Sequence, residues 1–173
     1  MLTTTSSMAS TQRMNEQVVY NLLKDKGYTD AQVAGIMGNI AVETGGSFDF
    51  TQKQRGGKGY GLFQFDAMKK HYFDYLEEEE REDSPEAQVD FMHETIYGKK
   101  QDVIGRGNAK ELRKSLETEY PEDVATIFME KWEKPGVKHE GRRQGEAVKY
   151  FNFPPVKEEM VDLDTTGFEP SIK

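Results

Sequence analysis

Hydrophobic residues recur at intervals of three and four positions along most of the chain, and this spacing predicts a succession of short amphipathic helices. In the first of them Val18 and Leu22 repeat beside Val19 and Leu23, and Gly27 marks the end. Later stretches show the same period, several with capping or proline signals at their starts. The predicted helices cover about residues 14–26, 30–44, 66–76, 85–97, 109–116, 121–134 and 141–151.

Two of these helices begin with a capping box, in which the N-cap side chain and a Gln or Glu three residues later satisfy each other's backbone amides. Thr29 with Gln32 opens the second helix, and Asn108 with Glu111 is expected to open the fifth. The second helix continues as an apolar stripe over 33–40 and stops at the pair Gly45-Gly46, which leaves Glu43 in its last turn.

Residues 48–65 (FDFTQKQRGGKGYGLFQF) interrupt the helical period, because four glycines separate aromatic and polar residues there. This composition predicts a loop or a small hairpin. The fold class is therefore mainly α, with a small β component where the hairpin forms. We divide the chain into three parts: a polar N-terminal tail (1–13), one folded domain that is large enough to hold an active site (14–151) and an extended C-terminal arm (152–173).

Composition supports one folded domain and removes several classes of function. The 173 residues include 10 Phe, 8 Tyr and 1 Trp, which is too much aromatic content for a disordered chain. The absence of cysteine excludes disulfides, thiolate metal sites and a cysteine nucleophile. The three histidines lie on three different predicted segments, so we expect neither a metal site nor a cofactor. The first residues lack the apolar core of a signal peptide, and no window is long enough for a membrane span.

The net charge of −8 argues against binding to nucleic-acid backbones and to anionic lipid. The acidity is concentrated in two places, with a net of −6 over 77–86 and −3 over 151–173, so the remaining residues are close to neutral. We expect the run of glutamates at 77–80 to be a solvated helix end. Two stretches lean basic, 52–58 and 131–143, each with a net charge of +3.

Glu43 is the acidic residue that is hardest to explain as an ordinary surface side chain. It follows Ile40 by three positions and Ile36 by seven, so it shares the apolar face of its helix. Partial burial and a position at the negative end of the helix dipole both favour the protonated form of a carboxyl group. A glutamic acid that keeps its proton near neutral pH is what a glycosidase requires of its general acid. An exposed glutamate in a last helical turn is the alternative interpretation.

Four segments together resemble the phage tail lysozyme family, the peptidoglycan hydrolase domain of tail and baseplate proteins. This family is akin to goose-type lysozymes and lytic transglycosylases within the lysozyme superfamily, so the resemblance implies a mainly α, α+β lysozyme-like fold with a small hairpin or loop around 48–65. The similarity extends over about 15–151. The four similar segments are VAGIMGNIAVETGG at 33–46, GYGLFQF at 59–65, AQVDFMHETI at 87–96 and FMEKWEKPG at 128–136.

The resemblance implies roles for individual residues where the motifs match. The glutamate that ends the second helix, Glu43, corresponds to the general acid. The GLFQ segment lines the sugar cleft, which makes Gln64 a polar contact to substrate or water and makes Tyr60 and Phe65 neighbouring platforms. Thr44 stands where serine is commoner in the superfamily and keeps the hydroxyl.

A second catalytic carboxylate is not identified by these motifs. Asp49 and Asp66 are candidates, although Asp66 is equally well explained as a helix N-cap. Asp90 lies in a matching segment, on a helix, where a structural role is at least as plausible. Without a base, water is positioned by polar groups, or the 6-hydroxyl of the sugar attacks as in lytic transglycosylases.

The resemblance implies an enzyme that cleaves the β-1,4 bond between N-acetylmuramic acid and N-acetylglucosamine in peptidoglycan. It also implies a setting in the phage virion, with other tail or baseplate proteins as partners, where the enzyme opens the host cell wall locally during infection. In that setting we expect the two basic stretches to face the anionic stem peptides. The alternatives are a non-catalytic structural or glycan-binding virion protein, a lytic transglycosylase and an endolysin.

Overall fold

The computed structural model describes residues 3–153, and these residues fold into helices around one core, which confirms the predicted mainly α class. Seven α-helices carry the described part of the chain, with a 3₁₀ turn before α5 and a π-helical turn directly after α6. Their bounds are α1 (Thr3–Asp25), α2 (Asp30–Glu43), α3 (Lys69–Glu78), α4 (Pro85–Ile96), the 3₁₀ turn (Gln101–Val103), α5 (Arg106–Ser115), α6 (Pro121–Phe128), the π turn (Met129–Glu133) and α7 (Glu140–Phe151).

Helix α2 is the central element, and its start follows the predicted chemistry. Thr29 accepts a hydrogen bond from the Gln32 backbone amide, and the Gln32 side chain accepts one from the Thr29 amide, so the capping box is formed. Almost every residue from Ala31 to Ala41 is buried. A helix that is apolar on all sides is surrounded by other elements, and α2 packs most extensively against α7 and α6.

Two glycines let these helices approach α2 closely. A Cβ atom at Gly38 would lie 2.6 Å from the Arg143 backbone oxygen of α7, and one at Gly35 would lie 2.4 Å from the Val124 side chain of α6. Both distances are far below a normal van der Waals contact. The small residues on α2 therefore fix how near α6 and α7 come to the helix that ends at Glu43.

The segment 48–65 is a minimal hairpin, in agreement with the prediction of a loop or small hairpin. One antiparallel bridge joins Lys53 to Tyr60. The buried side chain of Gln88 on α4 holds this segment in place, since it donates to the Phe50 carbonyl at 2.8 Å and accepts from the Leu62 amide at 2.8 Å. The loop is thus pinned to the core by a side chain from a distant helix.

Three predicted helix starts are wrong. Helix α1 begins at Thr3 rather than near Met14, and residues 7–14 of it are exposed, so no apolar period marks them. Helix α3 begins at Lys69, with Met68 at its N-cap and no side-chain cap, so Asp66 does not cap it. Helix α5 begins at Arg106, and the side chain of Asn108 donates to the Ile104 carbonyl, so the predicted capping box is not formed there.

The ends of the chain and its acidic run complete the description. Glu77 to Glu80 are exposed at the end of α3, as expected. Helix α7 ends at Phe151, and most of the predicted C-terminal arm lies outside the described residues. Among the helices of residues 3–153, none is both long enough and apolar enough to cross a membrane.

Candidate functional site

A cavity of about 710 Å³ opens beside the C-terminal end of α2. Its walls come from that helix end, from the glycine-rich hairpin and the residues after it, and from the chain that follows the π turn. Its floor is aromatic and its rim is polar. The lining includes Val42, Glu43, Gln54, Phe63, Gln64, Phe65, Asp66, Ala67, Met68, Val103, Ile104, Trp132, Glu133, Lys134, Pro135, Gly136, Val137, His139 and Arg143.

Glu43 reaches this cavity because α2 is stopped at a defined residue. The amide of Gly46 donates to the Ala41 carbonyl at 2.8 Å and that of Gly45 to the Val42 carbonyl at 3.4 Å, with both glycines at positive φ. This is a Schellman arrangement, which glycine adopts without strain. Thr44 is buried at the same turn, and its hydroxyl donates to the Ile40 carbonyl at 2.8 Å. The side chain of Glu43 is 18% exposed, so it borders the cavity from a largely buried position.

Gln64 faces the same cavity and also stabilises the hairpin. Its amide nitrogen donates to the Gly61 carbonyl at 2.7 Å and to the Gln52 carbonyl at 3.2 Å. A Cβ atom at Gly59 would lie 2.8 Å from the Gln64 side-chain oxygen, which explains a glycine at that position. The predicted contacts Glu43 and Gln64 are therefore brought to one cavity by two different elements.

The two aromatic residues predicted as platforms lie in different surroundings. Phe65 borders the cavity but is 1% exposed, since its ring stacks on Tyr72 at 5.0 Å within the core. Tyr60 lies outside the set of described residues that line the cavity. Its hydroxyl hydrogen bonds to Asp83, and burial together with that carboxylate raises its pKa.

Of the two candidates for a second catalytic carboxylate, one lines the cavity and the other does not. Asp66 is exposed and lines the cavity. Asp49 lies outside that lining and accepts hydrogen bonds from the amide and hydroxyl of Thr51 at 2.8 and 2.7 Å. Within residues 3–153, no group of three His, Asp or Glu side chains is arranged to hold a metal ion.

The residue that sequence reasoning missed is Arg143 of α7. The side chain of Arg143 is 1% exposed. Its guanidinium donates to Glu43 at 2.5 Å, to the Asn39 side-chain oxygen at 2.7 Å and to Glu133. Its Nε atom also donates to the Lys138 carbonyl at 2.7 Å. The expectation that the basic stretch 131–143 faces the substrate is thus wrong for Arg143, which lies inside the wall of the cavity and compensates buried carboxyl groups.

Asn39 fixes the orientation of Arg143 from the opposite side. Its amide nitrogen donates to the Gly35 carbonyl at 2.9 Å and to the Ala125 carbonyl at 3.0 Å, so its oxygen is left to accept from the guanidinium. A buried polar group of this kind is stable only when its donors and acceptors are all paired. Asn39 links α2, α6 and α7 at the level of the site.

Glu133 is the second carboxyl group that sequence reasoning missed. It ends the π turn, and such turns insert a residue into a helix and are frequent at functional sites. Within that turn Trp132 packs into the aromatic floor, with its ring 4.8 Å from Phe128 and its Nε1 donating to Thr95 at 2.9 Å. The Glu133 side chain is 3% exposed. Glu133 lies in the segment 128–136 that resembles the family, but its spacing from other residues indicates no role for it.

The surroundings of Glu133 favour its protonated form. Burial raises the pKa of the Glu133 carboxyl to about 8, the Arg143 guanidinium works against this, and the Glu43 carboxylate adds to it. The site therefore contains a carboxyl group that holds a proton at neutral pH and lies beside Glu43.

Comparison with known protein families identifies this chain's family. A family model described as phage tail lysozyme matches residues 14–153. The chain belongs to the phage tail lysozyme family. None of the curated proteins matches the chain at a significant level.

Membership in the phage tail lysozyme family confirms the resemblance drawn from the four sequence segments. It implies a lysozyme-type, cell-wall-lytic activity with peptidoglycan as the substrate, and an association with phage. The matched range contains the end of α2, the hairpin, the π turn and α7, so every wall of the cavity lies inside the family domain.

Proposed function

We propose that this protein is a muramidase that cleaves the β-1,4 bond between N-acetylmuramic acid and N-acetylglucosamine, with Glu43 as the general acid. The observation that carries the proposal is the position of Glu43 at the end of a buried helix, on a cavity of about 710 Å³ that it shares with Gln64. A cavity of this volume is in the range of ligand sites in proteins. Its aromatic floor and polar rim suit a sugar ring, which has apolar faces and polar edges.

In the proposed reaction Glu43 protonates the glycosidic oxygen as the bond from C1 to that oxygen breaks. Positive charge develops on the sugar ring that contains C1, while the other sugar leaves with the protonated oxygen, and a nucleophile then adds to C1. Asp66 lies on the cavity and is the stronger of the two earlier candidates for a base that activates water. If the 6-hydroxyl of the sugar adds instead, the product carries a 1,6-anhydro end.

We further propose that the enzyme acts from the virion, attached to tail or baseplate proteins, and opens the wall locally during infection. Family membership supports this setting, since the family is named for the phage tail. Phe153 packs in the core, so the segment to delete is the part of the acidic C-terminal arm that follows it, 154–173. Its loss is expected to remove the protein from particles while purified protein keeps its activity on isolated walls.

The central experiment is Glu43→Gln. The amide has the shape of the acid but no proton to deliver, so release of soluble muropeptides from purified peptidoglycan should fall by at least about a hundredfold. Glu146→Gln, an exposed carboxylate of α7, is the matched control and should keep full activity. Turnover by the Glu43→Gln variant at the wild-type rate would disprove the assignment. Mass spectrometry of product ends separates hydrolysis from transglycosylation.

One observation favours a second candidate function. The ion pair between Glu43 and Arg143 is also a common structural device, and a domain that keeps it can bind glycan without cleaving it. Such a protein would sediment with peptidoglycan and release no muropeptides, and Glu43→Gln would lower its stability rather than a reaction rate.

A further inference from the structure

The cluster formed by Glu43, Glu133 and Arg143 contains two carboxyl groups and one guanidinium. Arg143 is 1% exposed, Glu133 is 3% exposed and Glu43 is 18% exposed. With both carboxyl groups ionised, the cluster would keep one excess negative charge in a poorly solvated place, which is unfavourable. One proton shared by the two carboxyl groups makes it neutral.

The hydrogen bonds of Glu133 indicate where that proton fits. One of its oxygens, Oε2, accepts from Arg143. The other, Oε1, is buried and has no hydrogen-bond partner among residues 3–153. An ionised carboxylate can only accept, so two carboxylates cannot hydrogen bond to each other unless one is protonated. Glu43 accepts from the same guanidinium as Glu133 and raises the pKa of Glu133, so a proton held by Glu133 can be shared with Glu43.

The other ionisable groups that line the cavity do not take the place of Glu43 and Arg143 as the charges that act on Glu133. Asp66, Lys134 and His139 line the cavity, and all three are exposed. Arg143 of α7 and Glu43 of α2 are the charges that act on Glu133, opposed by its burial. The neutral groups that face Arg143 are the Asn39 amide and the Lys138 carbonyl.

We propose that Glu133 is a positioning residue for the general acid, which holds the catalytic proton on the buried side of Glu43 and passes it to Glu43 for delivery to the glycosidic oxygen. This inference rests on the proposed muramidase function. It extends that function by assigning a role to a buried carboxyl group that acts through Glu43.

The proton balance is complete with groups already named. The shared proton moves from Glu133 to Glu43 and then to the glycosidic oxygen, which takes the electron pair of the breaking bond to C1. Both carboxyl groups are then ionised beside Arg143. The water or sugar hydroxyl that adds to C1 releases one proton, and this proton restores the pair for the next turnover.

The first test is the pH profile of muropeptide release. Activity of the wild-type enzyme should persist through neutral pH and fall near pH 8, where Glu133 loses its proton. In Glu133→Gln the falling limb should move to lower pH by at least about one unit, which lowers the ratio of the rate at pH 7.5 to the rate at pH 5 by about threefold relative to the wild type. Glu133→Asp should restore the position of the limb with a lower kcat.

Glu130→Gln is the matched control. It makes the same chemical change one turn earlier, at a side chain that is 47% exposed and pairs with Lys138 on the surface. It should leave the limb where the wild type has it. A Glu133→Gln enzyme with a lower kcat and an unshifted limb would show a merely structural role and overturn the inference. Thermal melting at each pH confirms that the variants are folded.

A second measurement does not depend on activity or on the folding of a variant. Carbon-13 NMR of the glutamate side-chain carboxyls in the wild-type protein should show one resonance that titrates near pH 8. If every glutamate carboxyl titrates below about pH 6.5, the shared proton does not exist and the inference is wrong. If the resonance is present but peptidoglycan is not cleaved, the muramidase proposal fails instead.

Discussion

Asp90 on α4 and Glu133 at the end of the π turn are both largely buried carboxyl groups that accept a hydrogen bond from an arginine. Asp90 accepts from Arg81 at 2.7 Å and lies 2.5 Å from the Lys26 amine, with its side chain 13% exposed. Burial opposes ionisation there, but the hydrogen bonds of the two cations outweigh it and lower the pKa of Asp90. Glu133 shares its arginine with Glu43 and is more deeply buried, and its pKa is raised.

The comparison teaches that an arginine contact does not by itself decide whether a carboxyl group is ionised. Asp90 has two cations for one carboxylate, whereas the cluster at the cavity has one cation for two. Desolvation raises the pKa in both places and acts on a more deeply buried group at Glu133, and the ratio of cations to carboxyls then separates the two outcomes further. The first arrangement is a structural ion-pair cluster, in agreement with a structural role for Asp90. The second retains a proton beside a cavity.

The largest effect should come from removing the arginine of each cluster. Arg143→Met leaves two buried carboxyl groups without their cation and should lower the free energy of unfolding by about 3–5 kcal/mol at pH 7, with a smaller loss at pH 5, where the carboxyl groups can bind protons. Arg81→Met leaves Asp90 with Lys26 and should cost roughly 1–2 kcal/mol. Urea unfolding at both pH values measures the two variants, and equal losses would remove the distinction between the clusters.

The next effect is the dependence of stability on pH. Because the pKa of Glu133 is raised from 4.5 to about 8 in the folded protein, its contribution is fully present below pH 4.5 and is lost as pH rises toward 8. The free energy of unfolding should fall by a few kcal/mol across that window, and Glu133→Gln should flatten the curve. His93, whose pKa is lowered by burial, acts with the opposite sign below about pH 6.5.

Asp90 should change the stability with pH in the opposite direction to Glu133, because its pKa is lowered rather than raised. Its folded pKa lies below 3.8, so its contribution is present above that pH and is lost as pH falls through the folded value. Asp90→Asn should therefore destabilise the protein at neutral pH and make little difference in strong acid. A variant that lost stability equally at all pH values would indicate a packing defect instead.

The smallest effect concerns the close approach that places Arg143. Gly38→Ala puts a Cβ atom 2.6 Å from the Arg143 carbonyl oxygen, a backbone atom that cannot move independently of α7. We expect the free energy of unfolding to fall by about 1–3 kcal/mol and the contact between Arg143 and Glu43 to weaken. Thermal melting measures the first effect and muropeptide release the second. Gly145→Ala on α7 has open space around its Cβ and should be neutral or stabilising by up to about 1 kcal/mol.

The sequence predicted the elements that depend on local chemistry. The Thr29 capping box and the Gly45-Gly46 stop each involve residues only a few positions apart, so both ends of α2, and with them the position of Glu43, could be placed in advance. Predictions failed where a side chain had a competing partner. Asn108 bonds to the Ile104 carbonyl instead of capping a helix, and the exposed first half of α1 carries no hydrophobic period.

The sequence by itself thus determined the helical class, the family resemblance and the glutamate at the end of α2. Only the tertiary structure decided which groups surround that glutamate. Arg143 lies 100 positions further along the chain, and it reaches Glu43 because Gly38 on α2 allows α7 to approach closely. Burial and charge ratio are properties of that packed arrangement, and they give Glu133 its proton. No spacing in the sequence encodes them, because ionisation depends on the distance to charges and to water in three dimensions.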